Sequence, residues 1–575
     1  MLKLKHRIMA TACVAIAGAA GFAPGAIAQT YNPGDIFGGG ASLPAPYLRQ
    51  TFDCYGIPTQ LIIKGTPPQF ETITPFDYTG SPPFNCATQH IVSNATVYYV
   101  SATSGTGILT VFAHDPTLLG YVNQSQTEYF PSVQFGYSET PLSDTDVGIY
   151  NNGGTETQGK SSVTVGTPGQ YTCGNPAPNY ANPLQCFGPL VQFPFSVDPV
   201  VFAYNSTYEK VLNADNSETD YHFNIKHPRA DGSGGLRLSQ TTYCKIFNGQ
   251  ITNWNDPAIT ADNSKKSLED PKDPTPPASW SVPLQIVGRA DSAGATTVFT
   301  RHLAAACAAL TGNQYTTGTS TLPASLQGPT YNSSNPNYPS VPGETPGKYT
   351  LATLNTGIAQ YVAFTATPGG SNPSNCTLGV ACIQLGRIGY IGNDFVLPYV
   401  LETQANTYNL NSATLENVSN QWEAPTPTTV TAAFKPIQPP QSNANGTYCA
   451  NCLSWGVRTD PADWVQGSTP ASVLANPTTK GSYPIVGTAN WLGYQCYASP
   501  NQTTTVTKVN NFINNNKVNW NAKLGILASA GLAPLPAQWR TAIQQTFVTN
   551  TSGLNLNIVQ AGTAGACSVA GVVGG

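Results

Sequence analysis

Charged residues are scarce in this chain: Lys, Arg, Asp and Glu make up 9% of its 575 residues, against about 25% in ordinary soluble domains. Twenty-five basic and 29 acidic residues leave a formal net charge of −4. No basic surface is available to neutralise phosphate backbones, so nucleic acid is excluded as a partner. Histidine is nearly as rare, six in all. Apart from His6 these are His90, His114, His222, His227 and His302, and only the loose pair His222 and His227 approaches metal-ligand spacing. No Gly-x-Ser-x-Gly elbow occurs either, so the sequence offers neither a metal cluster nor an activated serine for hydrolysis. Long apolar runs are also missing. Beyond residue 28 no stretch of about 18 uncharged apolar residues is found, and no membrane span is expected. Asn, Thr, Ser and Gln take the place of charge. With 40% hydrophobic residues and 28 Tyr the chain still has the material for a packed core, so disorder does not explain the composition. A fold with few ion pairs loses little when carboxylates protonate, which suits an acidic exterior.

The N-terminus has the three parts of a secretory signal: Lys3, Lys5, His6 and Arg7, an apolar stretch from Ile8 to Ala20, then Ala26-Ile27-Ala28 before Gln29. Cleavage after residue 28 is expected, with a periplasmic or extracellular product. Cys13 lies within the apolar stretch and Gln29, not Cys, stands directly after Ala28, which argues against a lipid anchor. Of the 13 Cys, the one in this region is lost, and an even count of 12 in an exported chain favours disulfides. Sequence proximity suggests Cys54 with Cys86, Cys173 with Cys186, Cys376 with Cys382, Cys244 with Cys307 and Cys496 with Cys567. That is one choice among about ten thousand pairings. Cys449-Ala-Asn-Cys452 has oxidoreductase spacing, but no strand-turn-helix pattern surrounds it and a structural bridge is the expectation.

Pro, Gly, Asn, Ser and Thr dominate about 57–90, 150–187, 206–235, 258–280, 313–348 and 403–480, which read as long surface loops held by the cysteines. Between them, strand-like and helix-like pieces alternate. Strands are expected at 95–100, 197–204 and 284–287, and helices at 104–112, 296–310, 506–514 and 537–547. Such alternation indicates α/β domains with mainly parallel sheets. The stretch 551–575 has no assignment.

Two strand-to-helix junctions are suited to holding an anion. Ser101-Ala-Thr-Ser-Gly-Thr-Gly107 and Arg289-Ala-Asp-Ser-Ala-Gly-Ala-Thr-Thr297 both place small residues at a helix start, where free N–H groups carry partial positive charge. Arg289 adds a guanidinium fork. By contrast, Gly154-Thr-Glu-Thr-Gln-Gly-Lys160-Ser161 fits the nucleotide-binding P-loop expression, yet neither the strand before nor the helix after that a P-loop requires is present in the pattern.

Eight motifs in order resemble the phosphate-specific substrate-binding proteins of ABC transporters. They are Gly38-Gly-Gly-Ala-Ser-Leu-Pro-Ala-Pro46, Phe135-Gly-Tyr-Ser-Glu-Thr-Pro-Leu-Ser-Asp144, Leu190-Val-Gln-Phe-Pro194 with Pro199-Val-Val-Phe-Ala-Tyr-Asn205, Ile246-Phe-Asn-Gly-Gln-Ile-Thr-Asn-Trp-Asn-Asp-Pro257, Ile286-Val-Gly-Arg-Ala-Asp291, Arg387-Ile-Gly-Tyr-Ile391, Tyr483-Pro-Ile-Val-Gly487 and Gly531-Leu-Ala-Pro-Leu-Pro536. The resemblance implies a two-lobed α/β fold of the periplasmic-binding-protein type II, each lobe a mainly parallel sheet with flanking helices, interrupted by long disulfide-stapled insertions. Lobe I would combine 29–195 with 481–575, lobe II would be 196–480, and the chain would cross between them near 193–198 and near Tyr483. It implies a ligand cleft lined by Ser42, Leu43, Ser104 and Glu139 from the first lobe, and by Arg289, Ala293, Gly294 and Ala295 from the second, supported by Asp291, Ser292 and Thr296. It implies no enzyme activity, metal or cofactor; the partners would be phosphate or a similar oxyanion and an ABC transporter permease.

This chain departs from the family pattern where Glu139 replaces an Asp, and where Ala293 and Ala295 replace Ser and Thr. A hydrogen bond to a charged group contributes about 1.5–3 kcal/mol, so two missing hydroxyls would weaken binding by roughly two to four powers of ten unless Ser292, Thr296 or water substitutes. Three functions fit: a phosphate binder of altered affinity, a binder of another oxyanion or phosphorylated ligand, and a secreted adhesive or filament-forming protein that keeps only the fold.

Overall fold

The computed structural model describes residues 31–562 and 565–568, except 33, 80–82, 168–169, 173–178, 181, 214, 216, 226–234, 265–266, 313, 316–317, 332–342, 364–380, 385, 400–407, 441–455, 465–470 and 498–523. The expected signal segment, the helix expected at 506–514, and Cys173, Cys376, Cys449 and Cys452 lie outside them.

In chain order the elements that build the frame are β1 (Ile36–Gly40), α1 (Ala45–Tyr55), β2 (Leu61–Ile63), β3 (Gln69–Glu71), β4 (Val97–Ser101), α2 (Ser104–Ala113) and β5 (Phe135–Ser138). Next come the short strands β6 (Gly154–Gln158) and β7 (Ser161–Val165), the long β8 (Leu190–Asn205), β9 (Gln285–Arg289) and α3 (Gly294–Thr311). They are followed by β10 (Gln327–Thr330), β11 (Tyr349–Ala352), α4 (Leu354–Ala363), β12 (Arg387–Gly392), β13 (Leu410–Ser412) and β14 (Val486–Tyr494). A single 12-stranded sheet runs β10-β11-β9-β12-β8-β14-β5-β1-β4-β2-β3, with β13 also on β8.

Two strands hold the centre of this sheet. All of β8 except Asn205 is buried, as its nearly unbroken apolar sequence requires of a strand covered on both faces. Leu190–Pro199 pair antiparallel with β14 and Val200–Tyr204 with β12, the register to β14 shifting between Pro194 and Ser196. On the β14 side lie only strands from before residue 139, and on the other only strands from after residue 284. Within each flank the ladders are parallel where helices return the chain, as in β1–β4, β1–β5, β9–β11 and β9–β12. The sheet is therefore mixed, parallel on its flanks and antiparallel at its centre.

Aromatic rings fill the space beneath the crossing. Phe135 stacks on Trp491 at 4.5 Å between centroids, and Tyr137 meets Trp491 and Phe195 edge-on. Three glycines bring the start of α2 down onto the sheet. A Cβ on Gly107 would stand 2.4 Å from the Tyr137 carbonyl oxygen and 3.0 Å from Gly40 Cα, and Gly136 faces the Gly107 carbonyl as closely.

Several expectations are corrected by the structure. The segments read as loops contain short strands: 154–165 is a β-hairpin, 207–222 another, and 427–434 is a helix within 403–480. Each piece is short: the first hairpin buries only Glu156 and Val165, and the helix spans eight residues with Val430, Ala433 and Phe434 buried. The helix expected at 537–547 ends at Ile543 and widens into a π-turn over Gln544–Val548. Part of the unassigned 551–575 returns to the fold, Val559–Gln560 pairing with Cys496–Tyr497. Disulfides join Cys54–Cys86, Cys244–Cys307 and Cys496–Cys567, and Cys186 is also bridged. Among the described residues no helix is long and apolar enough to cross a membrane.

Because backbone, not a flexible side chain, occupies the space around Gly107, Gly107→Ala is expected to push α2 off the sheet and lower stability by several kcal/mol, on the order of other severe overpacking changes. Chemical denaturation of the variant checks this, and an unchanged midpoint contradicts it.

Candidate functional site

Two helices start toward the same buried spot from opposite flanks of the sheet. Thr103 caps α2, its side chain accepting the Thr106 N–H at 3.0 Å. At α3 the N-cap is Ala293, which has no side chain to offer. The Gly294 N–H instead donates across to Ser104 Oγ at 3.1 Å. Ser104 in turn donates to Glu139 Oε2 at 2.6 Å, and the Glu139 N–H lies 3.3 Å from the same Oγ. Gly294 is needed here for closeness rather than for its φ. A Cβ on it would fall 2.3 Å from Glu139 Oε2 and 2.5 Å from Ser104 Oγ. A second cross-link, Thr140 with Thr297 at 3.1 Å, lies one residue on from Glu139.

Arg289 closes the electrostatic circuit at the end of β9. Its Nε donates to Asp291 Oδ1 at 2.9 Å, Nη2 pairs with Asp291 Oδ2, and Nη1 donates to Asn355 at 3.1 Å. Burial would lower the guanidinium's pKa, but the Asp291 charge outweighs it and the group is held more firmly protonated. Asp291, though buried, is pulled down by Arg289 and also accepts the Leu354 N–H at 3.1 Å. Arg289 thus remains a fixed cation beside Glu139. Burial raises the Glu139 carboxyl to about 7, opposed by the Ser104 hydroxyl, Arg289 and the N–H groups of Glu139 and Leu43.

Of the residues expected from sequence, Leu43, Ser104, Glu139, Arg289 and Gly294 thus converge. Ser42 is buried on the turn between β1 and α1. Ala293 and Ala295 present only methyl groups, and neither neighbour replaces the absent hydroxyls. Ser292 bonds Ser320 at 2.8 Å, and Thr296 bonds the Tyr390 hydroxyl at 2.8 Å, which also accepts the Arg289 N–H. Sequence reasoning did not find Asn355, which lies in no motif, nor the role of Tyr390, which stands inside the motif Arg387-Ile-Gly-Tyr-Ile391. It also missed Asp198 and Asp394. A lone acid in the apolar strand Phe193-Pro-Phe-Ser-Val-Asp198 was the available signal for the first.

Those two acids surround the site with further carboxyl groups. Asp198 accepts the Ser196 hydroxyl at 2.6 Å, and burial pushes it up to about 8, helped by Glu139. Asp394 is pushed up well beyond the carboxylate range by burial, with Asp198, Glu71 and Glu139 adding to the effect. The segment resembling a P-loop has a different place: it is the β6–β7 hairpin, and its tip lies over the rim. Gly159, at φ +63°, faces Ser292, where a Cβ would come within 2.5 Å, and Gln158 packs on Gly105 in the first turn of α2.

A family model described as PBP superfamily domain matches residues 86–440. A phosphate-binding protein from an unknown prokaryotic organism is 27% identical over 333 residues, 57% of this chain and 71% of that protein. A Pseudomonas aeruginosa protein named alkaline phosphatase L is 25% identical over 375 residues, 64% of this chain and 70% of the relative. Among solved structures, a high-affinity periplasmic phosphate-binding protein, PfluDING, bound with phosphate superposes with a TM-score of 0.51 at 20% identity, covering 94% of this chain and 99% of that one. An ancestral soluble variant of the Human Phosphate Binding Protein gives the same score and identity, covering 92% and 99%. At that identity the likeness is one of fold.

Asp198, Glu139 and Asp394 hold their protons more tightly folded than unfolded. Their contribution to stability is complete below about pH 4 and fades as pH rises through the folded range, about 7 for Glu139 and about 8 for Asp198. His114 and His302, pushed down by burial to about 4, act in the opposite sense. Their contribution is complete above about pH 6.5 and is lost as pH falls toward 4. Between pH 6.5 and 8.5 the carboxyl groups govern, so the melting midpoint is expected to fall with rising pH and Asp198→Asn to flatten that slope. A calorimetric midpoint that climbs over this interval refutes the assignment.

Proposed function

This chain belongs to the PBP superfamily, and we propose that it is an exported solute-binding protein that captures inorganic phosphate between two lobes. Lobe I is 29–195 with 481–575, lobe II is 196–480, and β8 and β14 are the connections on which they turn. The observation that carries the reading is the convergence of the openings of α2 and α3, at Ser104 and Gly294, on one buried acidic group beside the fixed cation Arg289. Helix-start amides and a guanidinium are what a tetrahedral oxyanion requires. Leu43 and Ser42 add donors from the start of α1, and Glu139 accepts the proton that phosphate carries and sulfate lacks, so a sulfate is repelled and leaves the acceptor unmatched. Asp291 and Asn355 aim Arg289 rather than bind the anion.

The phosphate-binding relatives and the similar fold of a phosphate-bound protein support this reading. An ABC-type permease that recognises the closed form is the partner it implies, with ligand shifting the open-to-closed population; where the insertions cover the docking faces, the same capture serves extracellular scavenging. We read the chain as a binder and not a phosphatase. Ser104 donates to Glu139, but its oxygen also accepts the Gly294 and Glu139 N–H groups, which occupies the lone pairs a nucleophile needs. A second reading, capture of a different oxyanion, draws support from Ala293 and Ala295, whose missing hydroxyls are not replaced by Ser292 or Thr296.

Titration calorimetry with phosphate, arsenate and sulfate is expected to show heat with phosphate and arsenate and much weaker binding of sulfate. Arg289→Ala should weaken phosphate at least about a hundredfold, the loss of two charge-assisted hydrogen bonds. Sulfate preferred over phosphate favours the second reading. Heat-free traces with all three anions sink both and leave the adhesive or filament-forming alternative. Steady release of p-nitrophenol from its phosphate ester contradicts the non-enzymatic assignment.

A further inference from the structure

The groups that would grip an oxyanion already grip an anionic side chain. Ser104 Oγ donates to Glu139 Oε2, the Gly294 N–H reaches that same Oγ, and the Leu43 N–H acts on the carboxyl from the start of α1. Glu139 is buried, and its other oxygen, Oε1, has no hydrogen-bond partner among the described residues. The whole side chain lies against the start of α3: a methyl group on Gly294 would stand 2.3 Å from Oε2 and 2.5 Å from the Glu139 Cβ. Glu carries one more methylene than Asp, and the carboxylate at its end meets the Ser104 hydroxyl at 2.6 Å.

We propose that Glu139 is the site's own anion: its carboxylate holds donors that an incoming oxyanion needs, and the oxyanion binds by displacing it. This rests on the oxyanion capture proposed above and adds a cost that the capture must overcome. Phosphate meets that cost in part by offering a proton to the displaced carboxylate. A dianion without a proton finds a like charge in its place.

The charges facing Glu139 determine when it yields. Arg289 on β9 is the cation beside it, and Asp291 draws on that cation. Asp198 on β8, Asp394 just after β12 and the Tyr99 hydroxyl on β4 each hold their protons more tightly because of the Glu139 charge. Burial takes the Glu139 carboxyl itself up to about 7, against the pull of the Ser104 hydroxyl and Arg289. Once neutral, Glu139 competes weakly for Ser104 and can donate to an anion, so acid opens the site to fully ionised oxyanions.

Two measurements on the purified full-length protein test this. The first is calorimetry with phosphate at pH 8 on the wild type and Glu139→Asp. The Asp variant keeps the charge and the proton acceptor on a side chain one methylene shorter, which draws the carboxylate back from the Ser104 hydroxyl, and its affinity should be at least about tenfold tighter. Equal or weaker affinity in a folded Glu139→Asp overturns the proposal while leaving phosphate capture intact. The second needs no variant: sulfate, whose charge does not change between pH 5 and 8, should bind the wild type at least about tenfold tighter at pH 5. A pH-independent sulfate affinity, including none at either pH, overturns the proposal too. If neither protein takes up any oxyanion at any pH, oxyanion capture itself falls and takes this inference with it.

Discussion

A carboxyl group withdrawn from water must find donors or surrender its charge, and the contact between Ser104, Glu139 and Gly294 does some of each. One hydroxyl faces the carboxyl on one side and the first amide of a helix from the far flank of the sheet on the other. The geometry around it is arranged to permit this. Gly107 lets α2 descend onto the sheet, Gly294 lets α3 approach the acid, and Asp291 with Asn355 fixes the guanidinium that keeps the ensemble from being wholly anionic. Remove the closeness and the carboxyl returns to water as an ordinary acid.

The frame that makes such closeness repeatable is the pair of long central strands. Because β8 pairs with β14 over one half and β12 over the other, both flanks share one continuous ladder. The ladder to β14 has one irregular step, a register shift between Pro194 and Ser196. Trp491, stacked on Phe135 beneath this step, gives the crossing a rigid floor. The scarcity of charge belongs to the same design. Few ion pairs are described, those of Arg49 with Asp53 and Arg289 with Asp291 being buried, so the fold leans on apolar packing and neutral hydrogen bonds, which are indifferent to acid.

Sequence revealed the frame better than the margins. Strands such as β4, β8 and β9 and helices such as α2 and α3 show apolar runs or periods strong enough to read directly, and their observed bounds differ from expectation by a few residues at most apart from the longer β8. The hairpin 154–165 was hard to read as a pair because its strands are five residues each and only Glu156 and Val165 are buried, although Ser161-Ser-Val-Thr-Val165 alternates as a strand does. At the site, residues within motifs could be named, and the consequence of Glu139 could not, because it depends on a distance to Gly294 that no local pattern encodes. Asn355 was illegible for the same reason, and Tyr390, though inside a motif, showed no role: each acts through a hydrogen bond to Arg289 from an element remote in sequence.

The β6–β7 hairpin has a mechanical meaning. Its tip packs on Ser292, just before α3, and on Gly105 in the first turn of α2, so one polar turn touches the openings of both helices. Parting those openings therefore means releasing one of these contacts as well as the hydrogen bond from Gly294 to Ser104, which ties Gly159 and Gln158 to the ease with which the two flanks separate.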